Sequence, residues 1–327
     1  MSQSDNTFWN HTKTLVIGGC GMIGSQLVEL LVTQGAEVSV MDDHSHGHTH
    51  ITGARYVHAD AGDAQCCYDT FRDQDIIFNL AATVAGVLYN REHHYQMFTD
   101  NYRVLETPVR IAKQLDTPHY LQTSSVCVYA PEWNHPCVEP NGLLGEPHPA
   151  NLGYALAKRM GERLVHWAEA PHAVIVRPSN AYGPRDDYDP GRAHVIPALI
   201  RKCLDPDIDP IQVHGTGEEI REFVYSQDVA RGMMISIEHG LPNEAYNLGV
   251  GEHEAISIYD LVMLIQELTE TTHKSIEFLG GSGGDPKRWS TITKARELGY
   301  TPSVSLRDGL AQSITWYRQN NLEGDHA

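Results

Sequence analysis

Two hydrophobic periods alternate along the first half of the chain. Short apolar or β-branched runs at Lys13–Ile17, Glu37–Met41, Ala54–His58, Asp75–Leu80, His119–Ser124 and Ala173–Val176 predict strands. Between them, Ser25–Thr33, Gln96–Gln114 and Leu152–Glu169 carry apolar residues every three or four positions and predict helices. Strand and helix in alternation imply an α/β fold with a doubly wound parallel sheet. Ligands of such sheets gather beyond the carboxyl ends of the strands, which brings Asp60, the Leu80-Ala81-Ala82 turn and Ser125 to one crevice. The small residues at 81, 82 and 85 permit close approach of a ligand, and suit tight helix packing equally well. A chain of 327 residues exceeds one typical core, so a large lobe over residues 1–178 and a smaller C-terminal lobe over 179–327 are expected, with segments exchanged between them.

The first strand runs into Gly18-Gly19-Cys20-Gly21-Met22-Ile23-Gly24, and a helix follows. Gly18, Gly21 and Gly24 have the spacing that turns the backbone tightly and presents helix N-terminal amides, those of Met22 and Ile23 among them, to a pyrophosphate. A generic glycine turn has the same spacing, but the context is specific. The second strand ends in Asp42, about 20 residues on, where a carboxylate accepts both ribose hydroxyls of NAD and repels the 2′-phosphate of NADP. Together these features describe a Rossmann-type cofactor site with NAD as the dinucleotide.

Charge changes the range of partners. With 42 acidic against 24 basic side chains the formal charge is −18, which disfavours nucleic acid and anionic membrane surfaces. An anionic substrate then needs individually placed arginines. No stretch approaches the about 18 apolar residues of a membrane helix, and the N-terminus is polar. The six cysteines form no C-x-x-C pair, and a reduced, cytoplasmic setting is expected. Histidines alternate with small or polar residues from His44 to His50; a solvated loop is expected there, an adventitious metal being the alternative, and no metal site is assigned.

The chemistry centres on three positions. Ser125 follows the fifth strand, and Tyr154 and Lys158 stand one helical turn apart on the same face. An ammonium beside a phenol lowers its pKa, which must drop from about 10 to about 7, or about 4 kcal/mol, for the phenol to act as a base at neutral pH. Ser125 would hold the substrate oxygen while Tyr154 moves its proton. A Tyr-x-x-x-Lys pair on an exposed amphipathic helix is the plain alternative.

With the glycine turn, Asp42 and Ser125 upstream, this arrangement resembles the extended short-chain dehydrogenase/reductase family of NAD-dependent sugar-nucleotide epimerases and dehydratases. The segments Arg177–Pro184, Gly215–Tyr225 and Tyr246–Gly249 resemble that family's sugar-nucleotide-binding half. Ala193–Lys202 is similar to GDP-L-fucose synthase, and Ser124–Tyr129 to GDP-mannose 3,5-epimerase. Both relatives pair a cysteine two positions after the catalytic serine with a basic residue further on, here Cys127 and His194, to invert carbons beside a 4-keto group. The departures matter: Cys20 replaces the arginine of fucose synthase, an NADPH enzyme, and His194 replaces the lysine of the epimerase.

The resemblance implies an epimerase with retained NAD that oxidises C4, inverts C3 or C5, and restores the hydride, on a nucleotide sugar with GDP-hexose favoured. It further implies diphosphate binding by Arg221 and Arg288, with Asn180 on the phosphates or a sugar hydroxyl, and an approach of Asn101 to the nicotinamide. A homodimer built on the Gln96–Gln114 and Leu152–Glu169 helices is expected on the same ground. Taken alone, a cysteine such as Cys127 is usually a small core residue, and a histidine such as His194 usually a cap or surface residue. The rivals are a simple 4-epimerase, which needs neither Cys127 nor His194, a 4-ketosugar epimerase-reductase, and a non-catalytic binding protein.

Overall fold

The computed structural model describes residues 8–133, 135–169, 172–281 and 285–322. The opening β-α unit forms as its sequence dictates: the apolar Thr-Leu-Val-Ile run of β1 (Lys13–Ile17) is wholly buried, and Gly18 turns the chain into α1 (Met22–Thr33). The chain continues through β2 (Glu37–Asp42), β3 (Arg55–His58), α2 (Ala64–Phe71), β4 (Ile76–Asn79), α3 (Val87–Glu92), α4 (His94–Gln114), β5 (His119–Thr123), α5 (Leu152–Ala168) and β6 (Ala173–Pro178). Beyond it come β7 (Asn180–Tyr182), α6 (Val195–Leu204), β8 (Ile211–Val213), β9 (Ile220–Arg221), β10 (Phe223–Tyr225), α7 (Ser226–His239) and β11 (Ala245–Leu248). The last elements are β12 (Ile256–Ser257), α8 (Ile258–Thr269), β13 (Ile276–Phe278), β14 (Lys287–Arg288), α9 (Thr293–Glu297) and α10 (Leu306–Tyr317).

Seven parallel strands form the main sheet in the order β3-β2-β1-β4-β5-β6-β11. The strand order reverses between β1 and β4, so the crevice at their carboxyl ends is the topological switch point where ligands of such sheets bind. On one face Leu27, Val28 and Leu31 of α1 meet Val229, Met233 and Ile237 of α7. On the other, Cys67 and Phe71 of α2, Val109 and Ala112 of α4 and Val165 of α5 cover the sheet. This is the Rossmann-type α/β architecture expected from the alternating periods.

A second hydrophobic cluster joins α6, α8 and α10 through Leu199, Ile200, Leu261, Ile265, Leu310 and Ile314. The chain does not stay there once it leaves β6: α7 and β11 return to the main sheet, where Ala245–Leu248 pairs in register with Ile175–Pro178. The small lobe's strands are two or three residues long, and β9 lies between β12 and β14.

Candidate active site

Gly18 leaves β1 with φ +77, and a side chain there would press on the backbone of Leu80 and Ala81 at 3.1–3.2 Å. Gly24 is more restricted still, since its missing Cβ would lie 2.1 Å from the Gly18 carbonyl oxygen. The turn is therefore open to a pyrophosphate because three residues lack side chains, and α1 begins at Gly21 with no side-chain cap on its first amides. Those amides, including Met22 and Ile23, are donors for an anion. Asp42 closes the other side, accepting from the amides of Cys20 and His44 at 2.8 Å each. Its remaining lone pairs suit ribose hydroxyls, and its charge suits NAD rather than a 2′-phosphate. The residues present thus fit a dinucleotide with an unmodified ribose.

The turn after β4 is tied down by hydrogen bonds. Ala81 N–H bonds to Asn79, Leu80 N–H to the Ile17 carbonyl, and Ala82 leads into a strap running to Gly86. Asn101, wholly buried on α4, clamps this strap: its carboxamide oxygen accepts from Thr83 N–H at 3.1 Å and its nitrogen donates to the carbonyls of Thr83 and Met97. Its side chain therefore acts on the strap rather than as a free amide pointing toward a nicotinamide. Asp60 is also engaged, by Arg103 at 2.6 Å and by Gly62 N–H at 2.7 Å.

Beyond β5, Ser125, Tyr154 and Lys158 come together. Ser125 hydrogen bonds with Tyr154, and its hydroxyl also accepts from the amide of Cys127 at 3.1 Å. The Lys158 ammonium lies 5.6 Å from the Tyr154 ring centre and donates to the Thr123 carbonyl at 2.9 Å. Burial brings Lys158 down to about 8, with Cys127 and Glu162 acting in the opposite direction. Burial also pushes the Tyr154 phenol well above its ordinary value, and Cys127 adds to this while the Ser125 bond opposes it. Without a bound ligand the phenol therefore holds its proton, and additional positive charge has to lower it during reaction.

Cys127 belongs to this group. Its thiol is half-buried, electrostatically coupled to Tyr154 and Lys158, and lies 3.7 Å from an Arg288 guanidinium nitrogen. Arg288 is opposite Arg221 on adjoining parallel strands, and burial together with Arg288 lowers Arg221 to about 10. Two guanidinium groups side by side call for an anion, and buried Arg288 Nε has no partner among the described residues despite the ion pair with Asp285. Asn180, a third predicted substrate residue, donates to the Glu222 carbonyl at 2.8 Å and so joins β7 to β10.

His194 lies at the head of α6. Its ring is open to solvent yet crowded by protein, and this crowding lowers its proton affinity, Asp187 opposing. The preceding Ala193 carbonyl faces Gly86 at the end of the strap. Cys127 thus follows β5 of the main sheet, whereas His194 opens a helix of the second hydrophobic cluster.

Residues 14–249 match the NAD dependent epimerase/dehydratase family. The chain belongs to that family. GDP-L-fucose synthase 1 of Arabidopsis thaliana is 28% identical over 94% of both chains. The GDP-L-fucose synthase of Escherichia coli is 25% identical, covering 94% of this chain and 97% of its own. Among solved structures, UDP-glucose 4-epimerase of Thermotoga maritima, with UDP-glucose, superposes with a TM-score of 0.84 at 26% identity, over 94% of this chain and 99% of that one.

NAD is the cofactor of this epimerase/dehydratase, and its chemistry depends on a buried scaffold that the sequence pattern concealed. Arg177 and Glu162 form a buried ion pair at 2.7 Å; Ser124 donates to the same carboxylate, and Arg177 also reaches Tyr129 at 2.9 Å. Tyr129 in turn donates to Asn247 of β11 at 2.8 Å. Arg177, grouped with the substrate-binding segments on resemblance, is instead a structural cation inside β6. His148 is a second omission: the neighbouring residues Arg288 and Arg221, after burial itself, lower its pKa, and its Nδ1 accepts from Ala150 N–H at 3.1 Å. Its only sequence signal was a histidine six positions before Tyr154, which pattern alone does not distinguish from a loop residue.

Proposed function

We propose that this family member is a nucleotide-sugar epimerase that oxidises C4 transiently and inverts C3 or C5, with a GDP-hexose as substrate. What carries the reading is the thiol of Cys127 held among Ser125, Tyr154, Lys158 and Arg288. A simple 4-epimerase has no use for an acid-base group there.

Tyr154 takes the proton of the C4 hydroxyl while Ser125 holds its oxygen and Lys158 supports the developing phenolate. NAD, when bound, supplies the reversible hydride acceptor at C4. The resulting ketone acidifies the protons on C3 and C5. Cys127, within 3.7 Å of Arg288, and His194 then remove a proton from one face and return one to the opposite face. Arg221 and Arg288 hold the diphosphate, and Asn180 faces the same anion or a sugar hydroxyl. The GDP-L-fucose synthase relatives support a second reading, in which a 4-ketosugar is epimerised and reduced at the expense of reduced cofactor.

The test is conversion of a panel of GDP-, UDP-, CDP- and dTDP-hexoses by enzyme saturated with NAD, resolved by product stereochemistry. Inversion at C3 or C5, lost by at least about 100-fold in Cys127→Ser and in His194→Asn, supports the proposal. Product inverted only at C4 contradicts it, and turnover seen only with a 4-ketosugar and NADH establishes the second reading. Both variants should keep the C4 oxidation step, visible as nicotinamide reduction.

We also propose a cytoplasmic homodimer. No helix among the described residues is long and apolar enough to cross a membrane. The outer face of α4 and α5 leaves Tyr95 80%, Leu156 39% and Trp167 66% exposed, beside a shallow apolar recess formed by Phe98 and Met160. Such a face is suited to a second copy packing helix on helix.

A further inference from the structure

The histidine-rich segment after β2, expected as a solvated loop, carries no helix or strand and alternates exposed with half-buried residues. It folds back over the glycine turn: Thr49 N–H approaches the Cys20 carbonyl at 3.4 Å, and Gly47 lies against Cys20 and Gly21 so closely that a Cβ there would meet the Cys20 oxygen at 2.3 Å. The rings of His44 and His48 stack at 5.9 Å, His44 and His58 lie 5.0 Å apart, and His50 stacks on Tyr56 of β3 at 4.0 Å. One ligand-capable atom from each of Cys20, His44 and His50 lies within 4.8 Å of the other two.

We propose that Cys20, His44 and His50 form a binding site for a borderline divalent cation, Zn2+ being the best match, and that occupation of this site competes with the dinucleotide. One thiolate and two imidazoles are a donor set that Zn2+ prefers over Mg2+ or Ca2+. Bonds of about 2.0–2.3 Å place tetrahedral ligands about 3.3–3.8 Å apart, so the observed cluster needs only about 1 Å of contraction. The ligands come from three anchored places: the glycine turn, the end of β2, and a ring stacked on β3. His44 has the support that metal-bound imidazoles use, its Nδ1 donating to the Gly47 carbonyl at 3.4 Å. The fourth position is open to water or to His48.

The competition follows from Asp42. Cys20 is buried and its thiol hydrogen bonds to the Asp42 carboxylate, which also accepts from the Cys20 amide at 2.8 Å. A bound cation displaces the thiol proton, ends this bond and draws the Asp42 carboxylate toward itself. The same carboxylate is the acceptor for the ribose hydroxyls, so cation and NAD make incompatible demands on it. The cation site itself stands on the cluster geometry and does not depend on the sugar substrate or on epimerase turnover.

Titration of the tag-free protein with Co2+ tests the site directly. One equivalent should bind with a thiolate-to-cobalt charge-transfer band, and Zn2+ should displace it. Cys20→Ser should abolish the band, and His50→Ala, at an exposed position that leaves folding intact, should weaken binding at least tenfold. His46→Gln should bind as the parent does, because His46 faces Asp43 and Asp187 instead. Excess NAD should weaken Co2+ binding at least threefold. Absence of the band in the parent protein, or binding unchanged in Cys20→Ser and His50→Ala, overturns the site; affinity indifferent to NAD overturns the competition.

Discussion

At the scale of single residues, the site is governed by what surrounds each titratable group. Lys158 is only 2% exposed and its pKa falls to about 8, so burial of its charged form costs stability. The sign follows from linkage: between about 8 and the unfolded value of about 10.4 the unfolded chain binds more protons, and stability attributable to this group rises with pH. Lys158→Met should therefore raise the melting temperature most below pH 8, with the advantage shrinking toward pH 10, while activity falls by about 100-fold or more. A constant melting difference across that range would contradict the assignment. Ser125, Tyr154 and Lys158 were legible as candidates from order and spacing, and Cys127 only through the family resemblance; the structure brings the four side chains together. Asn101 was legible as a position but not in its partners: only the folded strap reveals that its amide serves Thr83.

Individual elements show why some parts were readable and others were not. The six predicted strands correspond to β1–β6 with ends within two residues, since the inner parallel strands are largely apolar along their length and only the edge strand β3 is not buried. Strands β8, β9, β12, β13 and β14 are too short for any period to register, and β11 joins the sheet through a partner some seventy residues earlier. The Glu162–Arg177 pair was hidden for a related reason, because it links α5 to β6 and neither segment alone marks its charge as buried. Glu162→Gln leaves the Arg177 guanidinium without its charged partner and should cost about 3–5 kcal/mol in chemical denaturation; a loss below about 1 kcal/mol would show that the pair contributes little. Gly24→Ala forces a Cβ into the Gly18 carbonyl, and its NAD affinity should fall at least tenfold by calorimetry. Unchanged affinity would mean that the turn opens without that contact.

For the whole molecule, the two lobes divide the labour. In the proposed reaction the main sheet supplies the cofactor turn and Cys127, and the later segments bring Arg221, Arg288 and His194 to a chain of net charge −18. The proposed dimer would pack on the outer α4–α5 face: Leu156→Asp together with Trp167→Glu should shift the light-scattering mass from dimer to monomer, whereas an unaltered mass would contradict that interface. The central claim is carbon-acid chemistry beside a transient C4 ketone, and proton exchange reads it most directly. Turnover of the accepted nucleotide hexose in deuterium oxide, followed by proton NMR, should place solvent deuterium at C3 or C5, with the label lost in Cys127→Ser. Conversion at C4 with no deuterium on either carbon would contradict the account.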